Sequence, residues 1–450
     1  MEEEIGKIIF WLNTMEQKKG YGGPVVHYWQ DSLNYIGPGI DWRYEGLINS
    51  YITLLKKTGD QQFFKLAIRG GNHIISSQLD NGNFLNSGFE ANPVLGGGAI
   101  PHETAVCLAL VDLIKLLKEN KFNWDKYFEV LTKNIELYHF NQLFDKKTGL
   151  FFQYKKKYAL KNKGVFVPNK IATIIELLLE MHELTKNKLY LKLAIKNGNF
   201  IISQQNEEEF AGGIYQTELK EKIITYYTAR CIPALLKLFD KTKDQKYVDS
   251  AINAIKFIKK MENEDGGFCF GYQKKDDEFK LYKYPIFVAG AGDILRSIKL
   301  TEKYEKYNIK KHINWLMKNI DLNGGIRTSI GMNLKNKKTN KQTKLSWKDV
   351  IHVVGWNDKS LRFFSELIEK DTEINIGAES EVEINCLDGI FYENEKFIQI
   401  SGNRVFDKKR YFSSGNETLK RFVMNISLLC PDTFTLRQFG SSILHSMGVK

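Results

Sequence analysis

The chain has 450 residues, of which 43% are hydrophobic and 26% are charged, and its formal net charge is +12. This composition suits a globular protein with a substantial core and argues against an intrinsically disordered chain. No apolar run approaches the roughly 20 residues of a membrane-spanning helix, and the acidic start differs from a basic secretory signal, so we expect a cytoplasmic protein.

The positive charge does not by itself indicate a nucleic-acid partner. The lysines are spread along predicted helices and loops, which is typical of a solvated surface, and we expect no nucleic acid to bind. The five cysteines form no CxxC pair, which predicts reduced thiols and neither disulfides nor a zinc site. No phosphate loop or dinucleotide fingerprint is present, so we expect no cofactor and no metal.

A repeat runs through the chain. Three stretches share one pattern: TGDQQFFKLAIRGGNHIISSQ from Thr58, TKNKLYLKLAIKNGNFIISQQ from Thr185 and TKDQKYVDSAINAIKFIKKME from Thr242. Each reads as an amphipathic helix, preceded by another apolar helix and followed by a glycine-bearing turn. Glycine there ends the helix and allows a positive φ, so the chain can reverse. The turn glycines are Gly82, Gly149, Gly212, Gly266 and Gly324. Each unit is predicted to be a helical hairpin.

Six helices are predicted to open these hairpins. They begin near Tyr44, His102, Pro168, Tyr226, Val288 and Gly355. They are richer in small and apolar residues than their lysine-bearing partners, so we expect them to form an inner ring with the partners outside. A single hairpin cannot bury its apolar face, whereas stacked hairpins can. We expect the six to close into a ring between about residues 40 and 370.

This plan resembles the six-hairpin (α/α)6 toroids, a group that includes glycoside hydrolases, uronyl hydrolases, polysaccharide lyases, sugar epimerases and terpene cyclases. The likeness covers about residues 1 to 370 and depends on the hairpin count and the placing of polar residues. A looser likeness relates the chain to toroidal proteins of surface-polysaccharide synthesis. The resemblance implies an all-α fold.

The residue pattern of the sequence changes after about Asp371. Apolar and polar residues alternate there between Gly and Asn turns, which predicts short antiparallel strands. We therefore expect a toroid domain over residues 1 to 370 and a small β-rich appendix over residues 371 to 450.

In such a ring the first turns of all inner helices can surround one funnel, and polar and aromatic residues gather in those turns. The candidate catalytic residues are Asp41, Glu45, Glu90, His102, Glu103 and Asp358. The candidate substrate-binding residues are Trp42, Tyr44, Asn92, Asn169, Lys170, Tyr226, Tyr227, Arg230, His352, Trp356 and Asn357. Helix N-termini also favour anions.

Two expectations concern the geometry of this funnel. Asp41, Glu103 and Asp358 should converge on one pocket, and at least one should have a raised pKa, as a general acid requires. The loop from Asn86 to Ile100 contains Glu90 and Asn92, and it should fold over the funnel mouth.

The residue types in the funnel predict a carbohydrate substrate. Aromatic faces pack on sugar rings, Asn and Arg bind hydroxyls and carboxylates, and paired carboxylates transfer protons to glycosidic oxygens. We expect an enzyme acting on a glycan, with anionic, uronate-containing glycans among the candidates, and we favour hydrolysis because acids outnumber imidazoles.

Three alternatives stay open at this point. A polysaccharide lyase or sugar epimerase would use Tyr226, His102 or His352 as its base. A non-catalytic glycan-binding protein of polysaccharide synthesis would need the funnel but no proton donor. A terpene cyclase-like enzyme is the least favoured, because the sequence has no DDxxD or DxDD stretch.

Overall fold

A computed structural model describes residues 1–17, 19–26, 33–36, 39–85, 87, 98–321, 323–342, 347–376, 389–393, 396–401, 404–407 and 411–413. The helices are α1 (Glu2–Thr14), α2 (Arg43–Thr58), α3 (Gln61–Ser76), α4 (Ile100–Glu119), α5 (Asp125–Asn134), a π-helix (Ile135–Leu143), α6 (Lys156–Ala159), α7 (Pro168–Thr185), α8 (Lys188–Ser203), α9 (Thr225–Thr242), α10 (Gln245–Lys260), α11 (Ala291–Thr301), α12 (Lys310–Met317), α13 (Leu334–Thr339), α14 (Trp347–Val350) and α15 (Val354–Leu367). In these ranges no helix has both the length and the apolar character needed to cross a membrane.

The strands are short. They are β1 (Glu16–Gln17), β2 (Gly20–Tyr21), β3 (Gly23–Val26), β4 (Leu33–Ile36), β5 (Lys222–Ile224), β6 (Gly271–Lys275), β7 (Glu278–Tyr282), β8 (Ile286–Phe287), β9 (Ser329–Ile330), β10 (Gly389–Glu393), β11 (Lys396–Ser401), β12 (Arg404–Asp407) and β13 (Tyr411–Ser413). Helices therefore carry the architecture.

Six helices form a closed inner ring. Helix α2 packs on α4, and the contacts continue through α7, α9, α11 and α15, which packs back on α2. Small residues allow the close approach at this last junction, where Gly46 of α2 lies against Asp358 of α15. The closed ring of helices confirms the predicted all-α (α/α)6 toroid.

The repeat is visible in how the outer helices begin. The N-cap residues of helices α3, α8 and α10 are Asp60, Asn187 and Asp244. Each of these side chains accepts a hydrogen bond from the backbone amide two residues later. Such N-caps satisfy a helix donor that would otherwise lack a partner. The three similar stretches of sequence therefore fold into equivalent helices.

The sixth outer helix is α1, which lies outside the range of about 40 to 370 that we expected to hold the whole ring. Turn glycines pack on the backbone of the next outer helix; Gly212 lies against Asn253 of α10, and Gly324 lies in the same way against Lys7 of α1. Both glycines have a positive φ, 94° and 88°. Helix α1 also contacts α15, so the first helix of the chain closes the last hairpin.

Small sheets lie next to the starts of two inner helices. Strands β5, β6 and β7 form one antiparallel sheet, and β5 runs directly into α9. Strands β8 and β9 pair just before α11 begins. These sheets thus hold the chain where it enters the inner ring. In the C-terminal segment, β10 to β13 form an antiparallel sheet in sequence order, and its separation as a domain stays a prediction.

Candidate functional site

The first turns of the inner helices meet at one end of the ring. The ring of Trp42, just before α2, lies 4.8 Å from that of Trp356 in α15 and 6.2 Å from that of His102 in α4. Trp356 also lies 5.3 Å from Tyr226 of α9. Together these rings form a surface that we call the aromatic floor, and its members are Trp42, His102, Tyr226, Tyr227, Phe287 and Trp356.

The upper face of the aromatic floor is open to solvent. Trp42, Tyr227, Phe287 and Trp356 are partly exposed, and the ring of Phe287 stacks on Trp356 at 5.3 Å and 14°. Tyr226 and His102 are each 4% exposed, so they contribute mostly buried rings to the floor. The floor thus offers a ligand a nearly continuous set of aromatic faces from different helices.

One helical turn deeper, charged side chains form a second layer, which we call the ionic layer. Its members are Glu45, Arg230, Asp293, Asp358, Lys359 and Arg362. All six are buried, and the three cations balance the three carboxylates. Buried charges are tolerated when they are paired in this way.

The strongest pairs in the ionic layer involve Arg362. Its Nη1 donates to Glu45 Oε1 at 2.7 Å, and its Nη2 donates to Asp293 Oδ1 at 2.5 Å. Burial alone would raise the pKa of both carboxyls, but Arg362 and Arg230 hold both pKa values below their usual range. Glu45 and Asp293 are therefore carboxylates at neutral pH.

Arg230 is held much more loosely than Arg362. Its Nη2 lies 3.4 Å from both Glu45 oxygens, and its Nε lies 3.6 Å from Asp293 Oδ2. Hydrogen bonds of this length are weak, because most N–H···O bonds are 2.7 to about 3.2 Å long. Arg230 is the cation of the layer that can most easily exchange its partners for a ligand.

Asp358 joins the ionic layer at its edge. Its Oδ2 accepts from Lys359 Nζ at 2.7 Å and from the Gly46 amide at 3.2 Å, and its side chain is fully buried. Burial outweighs the nearby Lys359 and Arg362 charges and raises the pKa of Asp358 to about 7. Its carboxyl joins α15 to α2, and its Oδ1 atom is buried without a hydrogen bond to any described residue.

The start of α7 provides a lysine, Lys170, at the same end of the inner ring as the floor. Lys170 Nζ donates to Gln153 Oε1 at 3.0 Å and lies 5.4 Å from the centre of the Tyr154 ring. Desolvation lowers the pKa of Lys170 to about 8. Its neighbour Asn169 is partly exposed, although the Asn169 Oδ1 atom is buried without a hydrogen bond. Both residues belong to the same end of the ring as the floor.

Two residues of the predicted site point into the hairpin beside α2. Asp41 receives two hydrogen bonds from the Arg43 guanidinium, at 2.7 and 2.9 Å, and Arg43 also donates to the Tyr21 carbonyl. Tyr44 is fully buried, with its hydroxyl 3.4 Å from His73 Nδ1. Their contacts make them anchors of the first hairpin.

Glu103 faces the hairpin between α4 and α5. Its carboxyl accepts hydrogen bonds from the Ser87 hydroxyl and from Asn134 Nδ2, the latter at 2.7 Å. Burial raises the pKa of Glu103 to about 7, although these two donors oppose the shift. The adjoining π-helix turns His139 toward Thr104 of α4, 3.0 Å away.

His352 and Asn357 hold the turn before α15. His352 Nε2 lies 2.8 Å from Asp321 Oδ2, and Arg327 pairs with the other oxygen of Asp321 at 3.1 Å. The Asn357 amide bonds the backbone of Ile326 through both its oxygen and its nitrogen. Asn357 is fully buried, so we remove it from the substrate-binding candidates.

The structure therefore separates the predicted site residues into groups. The floor or the ionic layer holds Trp42, Glu45, His102, Tyr226, Tyr227, Arg230, Trp356 and Asp358. The three acids expected to converge, Asp41, Glu103 and Asp358, have different hydrogen-bond partners in the described part of the chain. Glu90 and Asn92 lie outside the described residues, so the expected position of their loop stays a prediction.

The candidate list from the sequence leaves out four residues of the floor and the ionic layer: Asp293, Lys359, Arg362 and Phe287. Asp293 lies in the first turn of α11, whereas Lys359 and Arg362 lie beyond the first turn of α15. The signal available was a charge within a short run of apolar residues, since Arg362 stands between Leu361 and Phe363. Within the described ranges, no three His, Cys, Asp or Glu side chains are grouped to hold a metal ion.

Comparison with known proteins gives structural neighbours. No family model and no curated protein sequence matches the chain. The structure is similar to an unsaturated glucuronyl hydrolase from a Bacillus species, with a TM-score of 0.58 and 11% identity over 81% of this chain and 95% of that one.

Two further solved structures give the same picture. A cellobiose 2-epimerase from Bacillus thermoamylovorans has a TM-score of 0.57 and 12% identity over 80% of this chain and 96% of that one. A family 76 glycoside hydrolase (mannosidase) from Bacteroides thetaiotaomicron has a TM-score of 0.53 and 12% identity over 81% and 97%. The chain therefore has the (α/α)6 toroid fold that these enzymes share.

Proposed function

We propose that this protein is a carbohydrate-active enzyme that binds a glycan on the aromatic floor. The observation that carries the proposal is the set of four partly exposed rings, Trp42, Tyr227, Phe287 and Trp356, at the N-terminal end of a closed inner ring. Sugars present C–H faces that pack on such rings while their hydroxyls reach polar groups at the rim. The names of the structural neighbours, a uronyl hydrolase, a sugar epimerase and a mannosidase, support a sugar ligand.

The proposed acid–base group is His102. An imidazole can both take and give a proton. It lies edge-on to Trp42 in the floor, and its helix begins only two residues earlier. Asp41, Glu45 and Asp293 are less suitable, because each of these carboxylates is paired with arginine.

Arg230 is proposed to stabilise negative charge on the ligand. It lies one turn below Tyr226 and Tyr227, and its long contacts with Glu45 and Asp293 leave it free to form a shorter bond with a carboxylate or a developing oxyanion. Lys170 at the same end of the inner ring adds a second cation. These two cations favour an anionic sugar or a reaction that creates an oxyanion.

An imidazole with a nearby cation suits proton transfer at a carbon beside a carbonyl or carboxylate. Epimerisation, isomerisation and elimination all belong to this class. We therefore propose this class ahead of the hydrolysis that the number of acids in the sequence favoured. Hydrolysis stays a second candidate because Glu103 has a pKa of about 7, as a general acid needs, although its carboxyl faces Ser87 and Asn134.

The test is turnover of a defined saccharide panel. The protein is incubated with mannose, cellobiose and an unsaturated glucuronide disaccharide, and the products are separated by anion-exchange chromatography. We expect a new product from at least one of them, and we expect Trp356→Ala to abolish it while the fold is retained. Saccharide binding without any product would instead indicate a glycan-binding protein, and neither binding nor product would overturn the proposal.

A further inference from the structure

The hydroxyl of Tyr226 connects the aromatic floor to the ionic layer. It donates to Asp293 Oδ2 at 2.8 Å, across the 67 positions that separate α9 from α11. The other oxygen of Asp293 accepts from Arg362 Nη2 at 2.5 Å. The floor ring, the carboxylate and the guanidinium thus form one chain of hydrogen bonds that runs from the ligand side into the core.

A second connection of the same kind holds Trp42. Lys359 Nζ donates to the Trp42 carbonyl at 2.8 Å and lies 5.2 Å from the centre of the Trp42 ring. Lys359 is itself paired with Asp358 at 2.7 Å. Two of the floor rings are therefore attached to side chains of the ionic layer.

These connections explain why the ionic layer is made of charged side chains, although apolar side chains would also pack at that position in the core. Buried ion pairs do not reliably stabilise a fold relative to well-packed apolar residues, but they fix groups in one arrangement through directional bonds. Asp293 is 2% exposed and its bonds run to Tyr226, Arg362 and Arg230, so it offers no face to a ligand on the floor.

We infer that Asp293 is a positioning residue: held by Arg362, it fixes the Tyr226 ring through its hydroxyl, and Tyr226 in turn fixes Trp356 on the aromatic floor. The rings of Tyr226 and Trp356 lie 5.3 Å apart at 62°, which is an edge-to-face contact sensitive to small rotations. The use of this arrangement in binding a glycan rests on the proposed function, whereas the arrangement itself does not.

The test needs no ligand. The full chain is labelled with 5-fluorotryptophan, which gives one ¹⁹F resonance for each of its seven tryptophans, and the Trp356 resonance is assigned with Trp356→Phe. Tyr226→Phe removes the hydroxyl and keeps the ring. Asp293→Asn keeps the shape and removes the charge, and Asp293→Glu keeps the charge but moves the oxygens.

We expect Tyr226→Phe and Asp293→Asn each to shift or broaden the Trp356 resonance. In the Tyr226→Phe background, Asp293→Asn should cause no further change, because the connection is already cut. If Asp293→Asn fails to fold, Asp293→Glu is compared in the same two backgrounds, with the same expectation. Tryptophans of the outer helices, such as Trp124, serve as the internal reference.

Two results would overturn the inference. One is a Trp356 resonance that neither Asp293 variant moves in the otherwise unchanged protein. The other is an equal change in both backgrounds, which would mean that Asp293 acts on the floor by a route that excludes the Tyr226 hydroxyl. A failure of the saccharide assays leaves this result unaffected, so the two proposals fail separately.

Discussion

Arg362 and Glu45 are 317 positions apart in sequence, yet their side chains share a hydrogen bond of 2.7 Å inside the inner ring. The pair joins α15, the last inner helix, to α2, the first. Arg362 also holds Asp293, so one guanidinium forms hydrogen bonds with two buried carboxylates. The closure of the ring and the charge balance below the aromatic floor therefore depend on the same side chain.

Replacing Arg362 by methionine should strongly destabilise the fold. The change leaves Glu45 and Asp293 buried with only the longer contacts to Arg230 and Lys359. Removing one partner of a buried ion pair costs about 3–5 kcal/mol. Denaturant titration measures the free energy of unfolding of the variant and of the unchanged protein. The matched control is Arg296→Met, because Arg296 pairs with Glu366 at 2.6 Å where both side chains are partly exposed. The free energy of unfolding of that variant should fall by about 1 kcal/mol or less. Equal decreases in the two variants would contradict this account.

Gly46→Ala should also weaken the junction between α2 and α15. A Cβ at this position would lie 2.7 Å from the Asp358 carbonyl oxygen and closer still to its carboxylate, so the backbones must move apart. Overpacking of this kind costs about 1–3 kcal/mol. Gly59→Ala is the control: Gly59 has a φ of 75° but open space around it, so its cost is about 1 kcal/mol of backbone strain. Thermal unfolding measures the stability of both variants. A larger loss of stability in Gly59→Ala than in Gly46→Ala would contradict the packing argument.

The ring itself could be predicted from the sequence because it is a repeated local pattern. The capped starts at Asp60, Asn187 and Asp244 follow from residue types that the repeat shows directly. The role of α1 as the sixth outer helix could not, because it depends on Lys7 meeting Gly324 from the other end of the chain. A contact between residues so far apart in sequence produces no local sequence pattern from which it could be predicted.

The candidate site was predicted in part. The aromatic residues were found because the first turn of a helix can be read from its cap and its neighbours, as at Trp42 and Trp356. The direction in which each carboxylate points could not be read in this way. Glu103 and His102 are adjacent in sequence, but a helix turns adjacent residues about 100° apart, and Glu103 points to Asn134 while His102 joins the floor.

Glu103 should make stability depend on pH around neutrality. Its pKa is raised to about 7 in the folded state from an ordinary value of 4.5, so the folded protein binds this proton more tightly. The resulting stabilisation is complete below about pH 4.5 and is lost as the pH rises through 7, by up to about 3 kcal/mol. The unfolding free energy of Glu103→Gln, relative to the unchanged protein, should therefore increase between pH 5 and pH 8. Parallel curves for the two proteins would contradict the raised pKa.

Loss of an exposed floor ring should weaken saccharide binding selectively. Trp356→Ala removes the ring that contacts Trp42, Tyr226 and Phe287, and we expect the Kd for a bound saccharide to rise about tenfold or more, which corresponds to about 1.4 kcal/mol. Trp124→Ala, at the start of an outer helix, should leave the Kd unchanged. Isothermal titration calorimetry measures the Kd of both variants. A Kd that responds to Trp124 and not to Trp356 would remove the floor from the proposed site.

The most direct test of the proposed chemistry is to run the reaction in D2O with whichever saccharide of the panel is converted, and to follow the product by NMR. For epimerisation or isomerisation, proton transfer through His102 predicts deuterium on a ring carbon or at the carbon beside the carbonyl. The same experiment with His102→Gln should lose turnover by a factor of about 10² to 10⁴, with binding retained. A product without deuterium on carbon, formed equally well by His102→Gln and incorporating ¹⁸O from labelled water, would contradict this account and indicate hydrolysis by carboxylates.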